Sequence, residues 1–139
     1  VRLLRVFMFT EVITPRFCDT DALGHINNTM LPIWFEGARE PVFKIFMPEL
    51  NVTQWRLILA KIDVNFHAQI FYGKAVELRT YIDRIGSSSF DVYQELWQND
   101  IKCASGTAVM VNFCYENQRS LKIPADIQNE MKKHLFVAE

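Results

Sequence analysis

The chain has 139 residues, half of them hydrophobic, and its 15 Lys and Arg nearly balance its 16 Asp and Glu. This length fits one domain with one core, and the balanced charge argues against nucleic acid and anionic membrane as partners. No apolar run reaches the roughly 20 residues of a membrane-spanning helix. Three cysteines without Cys-x-x-Cys spacing favour a reducing compartment, so we expect a soluble, cytoplasmic protein that binds small molecules or proteins.

The first elements in the chain are a strand and a long helix. Residues 1–10 are basic and apolar, but Glu11 interrupts them and no cleavage site follows, which predicts a strand and not a signal peptide. Apolar residues then recur at three-to-four spacing, at Leu31, Trp34, Phe35, Ala38, Val42, Ile45 and Phe46. This wide stripe predicts one largely enclosed helix. Asn28 is its predicted N-cap, and Pro41 predicts a kink near Arg39 and Glu40.

Four long strands are predicted after this helix. Apolar residues alternate from Ile58 to Ile70, which predicts a strand with one buried face. Similar alternation begins again at 76–82 and at 90–96, with turns between. The apolar stretch 101–115 predicts a strand in the centre of the sheet, with Gly106 as a candidate bulge position.

A short helix from Pro124, with Ile127, Met131 and Leu135 on one side, completes the pattern. Strands and helices do not alternate, so the order excludes a doubly wound parallel sheet. The sequence predicts an α+β fold in one domain, 1–139, with an antiparallel sheet wrapped around one long central helix.

The segment between the first strand and this helix contains the residues best suited to catalysis. Free backbone amides at a helix start can hold a developing oxyanion, and Gly24 allows a ligand to approach the backbone closely. A carboxylate just before the helix can attack the carbonyl carbon of an ester or thioester, or activate water. Asp19 and Asp21 are the candidates. Turn formation and helix capping are the alternative roles, and His25 alone is typical of a hydrogen-bonding loop residue.

Other chemistries fit this segment poorly. A calcium loop would need an oxygen ligand where Leu23 stands and a glutamate where Met30 stands. A zinc site lacks a second cluster of histidine or cysteine, and a phosphate-transfer loop would be expected on a parallel α/β sheet. No glycine-rich phosphate motif or Gly-x-Ser-x-Gly elbow is present. We therefore expect no metal and no cofactor.

Six short segments form a further pattern along the chain: 16–21, 24–28, 34–39, 71–73, 85–90 and 120–124. Together they resemble the hotdog-fold acyl-CoA thioesterases of the 4-hydroxybenzoyl-CoA thioesterase type. The resemblance covers nearly the whole chain. It implies the hotdog fold, in which a sheet wraps a long helix and homodimers, often within homotetramers, form active sites at the subunit interface.

The resemblance also implies roles for individual residues. It places the catalytic carboxylate at Asp21 and the thioester oxygen near the backbone amide of Asn28, with Asp19 in a supporting role. The segment 24–28 is also similar to the plant fatty acyl carrier protein thioesterases, in which an aspartate, an asparagine and a histidine cooperate. This makes His25 a catalytic candidate, although Leu23 stands at the position of their asparagine. Relatives with a histidine at the helix entrance would place it at Asn28.

The substrate contacts expected from this comparison lie in three places. They are Gly24 and Asn27 in the loop, Phe66 with His67 and Ala68 at a strand edge, and Ser88 in the turn 87–89. The expected reaction is hydrolysis of an acyl-CoA or acyl-carrier-protein thioester to free acid and thiol. The alternatives are a hotdog hydratase or dehydratase acting on acyl thioesters, and a non-catalytic acyl-thioester-binding subunit.

Overall fold

The computed structural model describes residues 7–137, so residues 1–6 of the predicted first strand lie outside it. Five strands form one antiparallel sheet in the order β1-β3-β4-β5-β2, and a short sixth strand pairs with β5. The strands are β1 Phe9–Ile13, β2 Leu57–Phe66, β3 Val76–Ile85, β4 Ser89–Gln98, β5 Ile101–Cys114 and β6 Arg119–Ser120. The helices are α1 Met30–Ala38, α2 Glu40–Phe46 and α3 Ala125–Lys132. The prediction of an α+β chain with a curled antiparallel sheet is confirmed.

The central helix is bent where a single long helix was predicted. It divides into α1 and α2 at Arg39, which confirms the irregularity expected from Pro41. Two buried side chains of the sheet accommodate the bend. Thr80 Oγ1 donates to the carbonyl of Ala38 at 3.3 Å, and Gln94 Nε2 donates to the carbonyl of Phe35 at 2.8 Å. Carbonyl groups at the bend therefore keep partners inside the core.

β2 is an edge strand, and the prediction that one regular face of it is buried is wrong. A bulge between Leu59 and Lys61 shifts its register against β5 and reverses the alternation. Ile62 therefore faces the helix side while Ile58 faces the opposite side. The strand also ends at Phe66, four residues before the predicted end at Ile70. Leu59, Ile62 and Phe66 remain 46%, 43% and 56% exposed in the single chain.

Gly106 is not a bulge, because it pairs in register with Val64. A Cβ atom at this position would lie 2.5 Å from the carbonyl oxygen of Asp63 and 3.3 Å from Cε2 of Phe35. The glycine thus allows close contact between β5, β2 and α1.

The C-terminal helix closes one end of the sheet. α3 follows Pro124 as predicted, and Ile127 and Met131 are buried in the core. The helix ends before Leu135, which forms a parallel bridge with Ile82 of β3. None of the helices within residues 7–137 has the length and apolar character needed to cross a membrane.

Candidate active site

The loop before α1 is anchored by a buried aspartate. Asp19 is only 2% exposed, and its carboxylate accepts hydrogen bonds from the backbone amide of Arg16 at 2.8 Å and from its Nη2 atom at 3.0 Å. The hydrogen bond from the Arg16 side chain lowers the pKa of Asp19 below its ordinary value. Its carbonyl oxygen accepts from the amide of Asn27 at 2.7 Å. Asp19 therefore ties the start of the loop to its end.

Asp21 lies at the turn of a small hairpin formed by this loop. Thr20 and Ile26 form a bridge. Oδ1 of Asp21 accepts from the amides of Leu23 at 2.7 Å and His25 at 3.2 Å. Gly24 has a φ of +79°, which a residue with a side chain rarely adopts, so the turn favours glycine. Oδ2 has no hydrogen-bond partner within residues 7–137 and is the oxygen left for a ligand.

The helix start differs from the prediction that Asn28 is the N-cap. α1 begins at Met30 and Thr29 is its N-cap, with no capping hydrogen bond from a side chain. In the turn before the helix, Oδ1 of Asn27 accepts from the amide of Thr29 at 3.0 Å. The carbonyl of Asn27 accepts from the amide of Met30 at 3.0 Å. A carboxamide one residue earlier thus closes the turn and leaves Asn28 inside it. In the described part of the chain, the amide of Asn28 donates to no acceptor.

A pocket of about 600 Å³ lies between this loop and the end of β2. Its lining comprises Asp21, Leu23, His25, Ile26, Asn28, Leu31, Phe66, His67, Ala68, Gln69 and Ile70. The amide of Ile26 donates to the carbonyl of Ile70 at 2.8 Å, which joins the two walls. The His25 ring packs edge-on against Phe71 with ring centroids 5.3 Å apart. The structure thus brings together Asp21, His25, Asn28 and Phe66.

Ser88 lies away from this pocket in the single chain. Its neighbour Ser89 pairs with Val111, whereas Phe66 pairs with Ala104. Val111 and Ala104 are seven residues apart on β5, which is roughly 23 Å at about 3.3 Å per residue. Contact between Ser88 and substrate stays a prediction.

The sequence analysis missed Gln98 near the pocket, and it did not indicate the buried partner of His67. Gln98 is buried and holds the segment after Ile70, because its side chain accepts from the amide of Phe71 and donates to the carbonyls of Phe71 and Lys74. His67 Nε2 lies 2.8 Å from Oγ of the buried Ser105. The position of Gln98, a polar residue at the end of an apolar alternation, could have indicated its buried role. No local sequence pattern indicates the contact between His67 and Ser105, because the two residues are distant in the chain.

The side chains that could bind a metal ion were compared for their arrangement in the described structure. Within residues 7–137 no cluster of three or more His, Cys, Asp or Glu side chains is arranged to hold a metal ion.

Comparisons with known proteins agree with this architecture. Residues 15–131 match the family model described as the thioesterase-like superfamily. A predicted thioesterase from Bacillus stearothermophilus has a solved structure with 42% identity and a TM-score of 0.91, covering 95% of this chain and 99% of that one. An uncharacterized protein, YsmA, from Bacillus subtilis is 29% identical over 119 residues, which are 83% of this chain and 79% of that protein.

A more distant solved structure shows the same fold. The hypothetical protein SAV2348 from Staphylococcus aureus, in complex with CoA, has a TM-score of 0.83 at 13% identity. The alignment covers 100% of this chain and 92% of that one.

Proposed function

Because the chain belongs to the thioesterase-like superfamily, we propose that it hydrolyses acyl thioesters, with Asp21 as the catalytic carboxylate. The proposal rests mainly on one observation, that a carboxylate and a free backbone amide belong to residues lining the same pocket. Oδ2 of Asp21 and the amide of Asn28 have no partners within residues 7–137, and both residues line the same cavity. Asp21 attacks the carbonyl carbon or activates water, while the Asn28 amide holds the oxyanion.

The geometry narrows the oxyanion site to one helix-start amide. Thr29, Met30 and Leu31 all donate to Asn27 or Asn28, and Pro32 has no amide hydrogen. Asn28 therefore acts through its backbone. The backbone amide of His25 donates to Oδ1 of Asp21, and its ring packs against Phe71. We therefore assign the His25 side chain to the wall of the pocket.

The test is thiol release from acyl-CoAs by wild type and the Asp21→Asn variant. The amide oxygen of asparagine can still accept from the amides of Leu23 and His25, so the variant keeps the turn but loses the charge. We expect kcat to fall about 10³-fold, within the range for a positioned acid or base. Asp83→Asn, at an exposed position on β3, is the matched control. Full activity of the Asp21→Asn variant would refute the role of Asp21.

The substrate panel should contain short, long and aromatic acyl-CoAs and carrier-protein thioesters. The CoA complex of SAV2348 makes acyl-CoA the first choice. Cys18 is a free, exposed cysteine, so each assay of thiol release needs a blank with enzyme alone. Hydration of enoyl-CoA without thiol release would instead support the hydratase, and binding without turnover the non-catalytic subunit.

We also propose a homodimer, or a tetramer built from it, with β2 at the interface. β2 is an edge strand whose exposed apolar residues would pair readily with another strand. Phe66 belongs both to this edge and to the pocket, so a partner there would complete the pocket wall. Sedimentation should show that Ile62→Lys weakens the oligomer, whereas Val12→Lys on the opposite edge strand, β1, does not.

A further inference from the structure

The guanidinium of Arg56, the residue before β2, is held by a fully buried side chain. Its Nε donates to Oδ1 of Asn112 at 3.0 Å, and its Cζ lies 5.7 Å from the ring centroid of Phe46. Asn112 is 0% exposed, and its Nδ2 donates to the carbonyls of Leu121 and Lys122 at 3.3 and 3.2 Å. Because both ends of its carboxamide are engaged, Asn112 presents its oxygen to Arg56 in one orientation.

This anchored cation has no anionic partner in the described part of the chain. The arginines that form ion pairs within residues 7–137 are Arg16, Arg79 and Arg84. Nη1 and Nη2 of Arg56 donate to no acceptor there, and Arg56 lines a surface cavity of about 440 Å³. Glu49 also lines this cavity but forms no ion pair with Arg56 among the described residues. A planar guanidinium with both Nη atoms free matches the oxygens of a phosphate group.

Arg56 and the pocket of Asp21 lie on the same side of the sheet. The contact with Phe46 of α2 places the Arg56 guanidinium on the side of the helices. Phe66, at the other end of β2, lies on that side too, because it pairs with the fully buried Ala104 and lines the pocket. Within one chain, the ten residues of β2 separate Arg56 from the pocket by roughly 30 Å, at about 3.3 Å per residue.

The proposed pairing of β2 with β2 of a second copy removes this separation. A two-fold axis that keeps the helices of both copies on one side of the joined sheet makes the two strands antiparallel. The strands overlap along their whole length when Ile62 lies opposite Ile62 of the second copy. With the bulge between Leu59 and Lys61 in each strand, helix-side residues then face each other, and Leu57 lies opposite Phe66. Paired strands are about 4.8 Å apart, so Arg56 of the second copy lies beside the pocket.

We propose that Arg56 of the second copy binds the phosphate next to the pantetheine arm of the thioester, a group that acyl-CoA and acyl carrier proteins share. This inference rests on the proposed function and on the dimer through β2. The pantetheine arm separates the thioester from this phosphate, so the thioester can lie at Asp21 while the phosphate lies at the mouth of the pocket. The carbonyl of Ser88 accepts from the amide of Asn112 at 2.8 Å. The turn 87–89 of the second copy therefore approaches the same mouth.

The decisive comparison uses two substrates that differ only in the phosphate, acyl-4′-phosphopantetheine and acyl-pantetheine. Arg56→Gln keeps a hydrogen-bond donor but removes the charge. We expect its KM for acyl-phosphopantetheine to rise about tenfold with kcat within about threefold, as for loss of a charged hydrogen bond, while its KM for acyl-pantetheine stays within about twofold. Arg79→Gln removes an arginine that is paired with Glu77 on β3, away from β2, and should change neither KM.

Mixed dimers test whether Arg56 acts across the interface. Asp21→Asn and Arg56→Gln chains with different tags are coexpressed, and the heterodimer is purified through both tags. In the proposed arrangement, one pocket combines the intact Asp21 of one chain with the intact Arg56 of the other, so the wild-type KM for acyl-phosphopantetheine returns. If Arg56 acted within its own chain, every pocket with an intact Asp21 would lack it. A heterodimer that keeps the raised KM would overturn the proposal.

The wild type and a second variant keep the proposal testable if Arg56→Gln folds poorly. The wild type should have a KM about tenfold lower for acyl-phosphopantetheine than for acyl-pantetheine, and Arg56→Lys, which keeps the charge without the fork, should lose about threefold of this preference. Equal KM values in an active wild type, or an unchanged KM in Arg56→Gln, would overturn the proposal and leave the thioesterase intact. Calorimetry with CoA needs no turnover. A wild type that neither hydrolyses a thioester nor binds CoA would remove both.

Discussion

The Asn27 side chain connects the stability of α1 to the oxyanion site, and its removal makes a quantitative prediction. In Asn27→Ala the amide of Thr29 loses its 3.0 Å acceptor and the Thr29 hydroxyl loses its 2.8 Å acceptor. The Asn27 side chain acts on the turn before α1 as an N-cap side chain acts on a helix. Its loss should therefore cost about 1 kcal/mol, because the backbone amide of Thr29 must return to water. For a domain of this size the melting temperature should fall by roughly 3 °C.

The activity should fall further than this loss of stability explains. Without the Asn27 side chain, the turn that holds the Asn28 amide is less ordered, and we expect kcat to decline about tenfold at a temperature where the variant is fully folded. Asn27→Asp separates the two effects. Aspartate caps as well as asparagine, so stability should be kept, but its charge next to the Asn28 amide should oppose the oxyanion.

Thermal melting and thiol-release kinetics on the same preparations test this reasoning. An Asn27→Ala variant that melts lower but retains full kcat would refute the link between the Asn27 side chain and the oxyanion site. An Asn27→Asp variant with full kcat would refute the position of the oxyanion beside this turn.

Three further outcomes follow from the structure. Asn28→Ala keeps the backbone amide and should retain kcat within threefold, whereas Asn28→Pro removes the amide and should lose about 10²-fold in the same assay. Because the pKa of Asp19 is lowered on folding, its contribution to stability is present above the unfolded pKa of about 3.9 and lost as pH falls below it, so urea unfolding should show the wild type converging with Asp19→Asn in acid. Gly106→Ala would place a Cβ 2.5 Å from the Asp63 carbonyl and should destabilise by about 1–3 kcal/mol in urea unfolding.

Periodicity was a sufficient guide to most of the fold. The alternation at 90–96 and the stripe from Leu31 to Phe46 reflect burial on one side, which is a local property of strands and helices. The bulge after Leu59 could not be read from the sequence, because it depends on how β2 pairs with β5. The role of Gly106 likewise depends on a carbonyl of another strand.

The sequence also indicated part of the candidate site. The loop composition and the family resemblance indicated Asp21 and Asn28, and the structure places both at one pocket. Their catalytic roles stay predictions. The N-cap is Thr29 where Asn28 was predicted, a difference of one residue in a turn, which sequence spacing does not resolve. The contact between His67 and Ser105 joins residues that are distant in the chain and has no sequence signature.

The two amides that hold Oδ1 of Asp21 restrict rotation of its carboxylate. An unrestrained aspartate must give up torsional freedom when it engages a substrate, and this loss adds to the activation barrier. In this loop the restriction is already imposed by the backbone of Leu23 and His25 when the protein folds. Oδ2 therefore keeps one orientation, and the entropy of orienting it is lost during folding and not during each turnover.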